Sequence, residues 1–181
     1  VGTGSTNGIN DQITALAWVS ERIQAFGGDP LRVTVFGESA GGTSTCVITV
    51  SPLAAGLLDA SIIESGACNG PWRPHTMAEG LAASEAFMTS MNLTRDNASL
   101  LWDIAPDDLV IPFEDQAVNF AIDGVLLPDQ PSNLYANGST WINPRAVMIG
   151  SNLRDGVTPW YSAVVPAPDA NTSMYNMFMM A

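Results

Sequence analysis

Apolar and polar positions change period several times along the chain, and each change predicts an element. From Asn10 to Phe26, Ile13, Leu16, Ala17 and Ile23, with the bulky Trp18 and Val19, make an apolar stripe at helical spacing. Asn10 or Asp11 can cap this helix, Gly27-Gly28 ends it, and Pro30 follows. Arg32-Val33-Thr34-Val35-Phe36 is short, β-branched and bounded by breakers, which predicts a strand. Gly37 to Gly42 follows at once, and Thr43 to Val50 continues as a helix. After Ser51-Pro52, the run Ala60-Ser61-Ile62-Ile63-Glu64 predicts a second strand. Met77 to Met91, rich in Ala, Glu, Leu and Met, predicts a further helix, and Ser99 to Ile104 a shorter one. Ala105 to Asn143 is a loop-rich excursion of Pro, Asp, Asn and Gly, after which Ala146-Val147-Met148-Ile149-Gly150 restores the strand pattern. The tail from Pro166 has no clear period, and the chain has no internal repeat.

Strands alternating with helices imply an α/β domain with a mainly parallel sheet. All three strands are apolar enough to be buried on both faces, yet three strands cannot cover their own faces and edges. The expectation is a partial domain over residues 1–181, the central part of a larger α/β fold and incomplete at both ends, in keeping with Val1 where a start Met would stand.

Composition supplies the material for a core, with 46% apolar and only 13% charged residues. No run of 18 or more apolar residues predicts a membrane span, and no basic-then-apolar leader opens the chain. The formal charge of −12, from 18 acidic and 6 basic residues, leaves no cationic patch to displace phosphate counterions. Nucleic acid is therefore excluded as a partner. The acids are scattered, which reads as solubility. Cys46 and Cys68 lack the spacing of a metal or redox site and read as two buried thiols, with a disulfide as the alternative. The sequons at Asn92, Asn97, Asn137 and Asn171 exceed the roughly two expected by chance and point to a secreted or lumenal glycoprotein.

The chemistry centres on Gly37-Glu38-Ser39-Ala40-Gly41, a G-x-S-x-G motif between a predicted strand and a predicted helix. A sharp turn at that point strains the serine backbone, small neighbours tolerate it, and Oγ is pushed into the open. The following helix presents free N–H groups and the positive end of its dipole, so the backbone N–H of Ala40 is placed to stabilise an oxyanion. An ordinary Gly-rich turn would carry the same letters, and the flanking strand and helix are what favour catalysis.

The wider text carries a family resemblance. Asn7 to Gln12, Ala15 to Val19, Phe26-Gly27-Gly28-Asp29-Pro30, Val33 to Gly42, Ser51-Pro52, Gly56-Leu57-Leu58 and Ile62 to Gly66 run in succession. Together they resemble the type-B carboxylesterases and cholinesterases, which have the α/β-hydrolase fold. The likeness is dense to about Trp72, thins to Asn119, and returns at Ile122-Asp123-Gly124, Leu127-Pro128 and Val147 to Gly156.

This resemblance implies a serine esterase acting through an acyl-enzyme on a small-molecule or lipid carboxylic ester, with no metal or organic cofactor. It makes Ser39 the nucleophile. Asp155, in Gly150-Ser151-Asn152-Leu153-Arg154-Asp155-Gly156, corresponds to the triad acid, with Asp where the family commonly has Glu. Glu38 resembles a buried glutamate that lines the site and helps to organise the base. Ser65 resembles a serine that hydrogen-bonds near the acid. Trp72 resembles a wall of the acyl pocket, and is as readily a core residue. The family order is serine, acid, histidine, so His75 comes too early to be the base and reads as a loop residue or a cap for the next helix. The family's upstream Gly-Gly oxyanion donors have no counterpart here. The rival readings are a non-catalytic cholinesterase-like adhesion protein, in which the serine is typically lost, and an inactive truncated product.

Overall fold

The computed structural model describes residues 6–66, 68–69, 73–109, 120–136, 142–152 and 155. Its centre is a three-stranded, wholly parallel sheet built from β1 (Thr34–Glu38), β2 (Ala60–Glu64) and β5 (Ala146–Gly150), with β2 in the middle. The register sets Phe36 beside Ile62 and Met148, and Glu38 beside Glu64 and Gly150. Two residues each of β3 (His75–Thr76) and β4 (Ala121–Ile122) form a second, small parallel pair. This is the α/β arrangement expected from the alternating pattern.

The helix α2 (Ala40–Val50) leaves β1 directly and packs back onto β1 and β2. Its buried residues include Thr43, Thr45 and Thr49, whose three hydroxyls would be stranded in an apolar setting. Each bonds back to its own helix instead. Thr43 Oγ1 donates to the carbonyl of Ser39, Thr45 to that of Gly41 and Thr49 to that of Thr45, at 3.2, 2.9 and 2.7 Å. Thr49 Oγ1 also lies 3.1 Å from Ser61 Oγ, so these hydroxyls are satisfied beside the apolar core.

The C-terminal carbonyls of α2 are satisfied from the predicted loop region. Asn143 Nδ2 donates to Ile48 and Ser51 at 3.1 and 2.7 Å, and its backbone N–H donates to Thr49. Ser51 Oγ donates to the carbonyl of Leu126. Asp123 Oδ1 accepts from the N–H groups of Val125, Leu126 and Leu127, so one carboxylate folds the turn that buries Leu126 and Leu127. The loop-rich excursion thus contains ordered core contacts and the short helix α4 (Pro131–Ala136).

Several expectations need correction. The helix α1 (Asn7–Arg22) starts three residues before Asn10. Its N-cap is Thr6, whose side chain makes no capping bond and whose hydroxyl donates to Asp123, so neither Asn10 nor Asp11 caps it. A 3₁₀ turn, Ile23–Phe26, follows, and Gly27 ends it at φ +85°. Ile9 and Ile13 are buried, whereas Trp18 is exposed and meets Phe26 with the rings tilted by 46° and their centroids 6.1 Å apart. The helix α3 (Met77–Ser90) opens with a capping box between Thr76 and Glu79, so His75 does not cap it but lies one residue earlier on β3.

Burial on both faces of every strand is not found. Residue Phe36 is 71% and Met148 66% exposed, and every position of β5 is exposed. The reason is coverage: α2 lies over β1 and β2, and among the described residues nothing shields the face carrying Phe36 and Met148. Cys46 and Cys68 are joined in a disulfide, the alternative to the two thiols read from the sequence. Among the described residues no helix is long and apolar enough to cross a membrane.

Candidate active site

Three loops meet at the carboxyl ends of the parallel strands, the edge where open α/β sheets place their ligands. Ser39 follows β1, Ser65 follows β2 and Asp155 follows β5. Ser39 is the N-cap residue of α2 at φ +55° and ψ −117°, a sparsely populated backbone state for any residue with a Cβ. A serine at an N-cap ordinarily spends its hydroxyl on the helix. Here the side chain makes no capping bond, and the residue is exposed.

The turn survives because glycine surrounds it. A Cβ on Gly37 would lie 2.4 Å from the backbone of Gly41, and one on Gly66 would lie 2.5 Å from the Ser39 carbonyl and 2.6 Å from Gly42. A Cβ on Gly42 would meet the Glu64 carbonyl at 2.8 Å. Gly41 has open space around its missing Cβ. The first glycine of the motif is therefore demanded by contact at its own Cβ position, while the last serves as the surface against which the first packs.

Backbone bonds knit the loops to one another. The Ser39 N–H donates to Glu64 and the Ser65 N–H to Gly150, at 3.0 and 2.8 Å. Ser65 adopts φ +48°, a second left-handed non-glycine residue at the site. Its Oγ donates to Asp155 Oδ2 at 2.5 Å, and the Asn152 N–H donates to the same oxygen at 2.7 Å. Partial burial works against charge on Asp155. The Ser65 hydroxyl and the backbone and side chain of Asn152 outweigh it and hold the carboxyl below the usual carboxylate range. A carboxylate kept ionised and held in place by neighbouring donors can orient and stabilise a cationic partner.

Of the residues singled out in the sequence, Ser39, Ala40, Glu38, Ser65 and Asp155 all lie at this sheet edge. Ala40 is the first residue of α2, where a helix N–H has no acceptor within the helix. Glu38 differs from expectation: it is exposed at the end of β1, since no described element covers that face. Trp72 lies outside the described residues. His75 is occupied elsewhere, its N–H donating to Phe120 and its Nδ1 lying 3.8 Å from Glu79. Sequence reasoning passed over Asn152, although an Asn three residues before an Asp is a recognisable turn signal.

Comparison with known proteins places these features in a family. The para-nitrobenzyl esterase of Bacillus subtilis (strain 168) is 34% identical over 160 residues, and the cocaine esterase of Homo sapiens is 34% identical over 148. The matches cover 82% and 80% of this chain but 32% and 26% of those relatives, so the chain spans a third or less of their length. A thermophilic PNB esterase structure superposes with a TM-score of 0.73 at 34% identity, covering 84% of this chain and 33% of that one. The Geobacillus stearothermophilus carboxylesterase gives 0.72 at 26% identity, covering 93% and 36%. These structures share the α/β-hydrolase architecture, of which this parallel sheet and its elbow are part. With the profile of the carboxylesterase family matching residues 5–178, the chain belongs to that family of ester hydrolases.

Proposed function

We propose that the whole protein hydrolyses carboxylic esters through an acyl-enzyme on Ser39. The observation that carries this reading is the strained, exposed Ser39, whose hydroxyl leaves its helix uncapped. Backbone strain at a residue that gains no local bond is retained where the reaction uses it. A base removes the Oγ proton as Oγ attacks the carbonyl carbon, and the Ala40 N–H supports the oxyanion. Collapse expels the alcohol, which takes the proton from the base, and water then releases the acid by the same route. Asp155 orients the base and stabilises its cation. The base itself is a histidine contributed from outside residues 1–181, since the chain's one histidine, His75, is engaged on β3.

The substrate is a small-molecule or lipid ester. The Cys46–Cys68 disulfide and the Asn92 and Asn97 sequons support a secreted or lumenal glycoprotein. An organophosphonate probe should label Ser39 in the whole protein, and Ser39→Ala should abolish labelling and ester hydrolysis together. Hydrolysis that persists at the original rate after that substitution overturns the proposal.

A further inference from the structure

We propose that the Cys46–Cys68 disulfide is a positioning staple for the triad acid, holding the loop after β2 along α2 so that Ser65 stays in bonding reach of Asp155. This rests on the esterase reading of the site. Cys46 stands about two turns along α2 from Ser39, and Cys68 stands three residues beyond Ser65. Gly66 therefore lies against the first turn of α2 and Cys68 against its second.

At the first turn, among the described residues, the loop is held by backbone. Glu64 accepts from the Ser39 N–H, and Gly66 lies so close to Ser39 and Gly42 that it can carry no side chain. A glycine gives close approach but no grip of its own, and it adds conformational freedom next to Ser65. Ser65 meanwhile holds a left-handed backbone, which persists only where both sides of the residue are fixed. The strand end fixes one side. The covalent bond to Cys46 fixes the other, within a buried setting in which Cys46 is 8% and Cys68 3% exposed.

With the disulfide gone, Ser65 has a ready route back to an ordinary backbone state. Its hydroxyl then leaves Asp155, and the acid loses the donor that orients it. Cys46 and Cys68 are positioning residues in this scheme, since neither touches substrate.

The test uses the complete protein carrying this chain, as wild type, C46A/C68A, and C46V/C68A, which refills the volume of the lost sulfur. Each is compared with and without Ser65→Ala, with rates taken per active site titrated by an organophosphonate. Loss of the staple should lower kcat about tenfold to a hundredfold while KM moves little, as expected for a misplaced catalytic group. In the Ser65→Ala background the same loss should cost less than about threefold, because both changes act through one hydrogen bond. An unchanged kcat, or losses that multiply across the two backgrounds, overturns the proposal. So does failure of both disulfide-free variants to fold, which would assign the bond to folding instead. Hydrolysis independent of Ser39 would instead sink the esterase reading on which the staple rests.

Discussion

Removing the Ser39 side chain in two ways separates the strain of the elbow from its chemistry. S39A deletes the hydroxyl but keeps a Cβ at φ +55° and ψ −117°. S39G deletes both. A residue with a Cβ in such a region costs about 1–3 kcal/mol, and glycine gives back about 0.5–1 kcal/mol through its greater loss of chain entropy on folding. The serine makes no capping bond, so no lost hydrogen bond complicates the comparison. The S39G protein should therefore be more stable than S39A by about 1 kcal/mol, and by no more than about 2.5 kcal/mol. Both should be without turnover. Parallel urea titrations of the complete protein, checked by pulse proteolysis, measure the difference. An S39G variant less stable than S39A would mean that the elbow stores no strain, and the physical ground for reading Ser39 as the nucleophile would be lost.

Asp155→Asn should leave the fold intact and lower kcat by about 10⁴, by analogy with other triads, and a loss below about tenfold would move the acid role elsewhere. The glycines should divide by contact. Gly66→Ala should cost about 2–3 kcal/mol, because the atoms it strikes are backbone, whereas Gly41→Ala should lie between neutral and about 1 kcal/mol stabilising; urea midpoints distinguish them. Glu79 accepts from the Arg73 guanidinium and from the Thr76 N–H, which holds its carboxyl at about 2 against an ordinary 4.5. Its folded pKa is the lower one, so its support of α3 is complete above about 4.5 and fades as pH falls towards 2. Glu79→Gln should flatten that part of an acid-unfolding curve, and an unchanged curve would count against the capping box.

Much of this fold was legible because local rules decide it. The ranges of β2 and β5 follow from their apolar runs, and α3 from its Ala- and Met-rich text. Strand β1 reaches two residues further than its β-branched run, because Gly37 and Glu38 still pair with Ile63 and Glu64 before the chain turns. The elbow was legible as a motif, but the reason for each glycine was not, since Gly66 belongs to a different loop from the residues it touches. The disulfide was equally hidden. Its cysteines are 22 residues apart, and only the parallel return of the chain from β1 to β2 brings them together. Exposure of the strands was misjudged for a related reason: an apolar strand announces that it can be buried, but not by which part of the polypeptide.

The order of the strands has a consequence for how the site is born. The pairing of β1 with β2 closes only the stretch from Thr34 to Ala60, whereas that of β2 with β5 closes the stretch from Ala60 to Ala146. Shorter closures form sooner and at lower entropic cost. The nascent chain can thus assemble the elbow, α2 and the Ser65 loop as one early unit. Asp155 follows β5, the last strand among the described residues, so on the proposed mechanism the nucleophile is built and buttressed before the acid that orients its base. On that proposal, a polypeptide emerging from the ribosome in this order carries a serine that stays chemically quiet until its fold has closed around it.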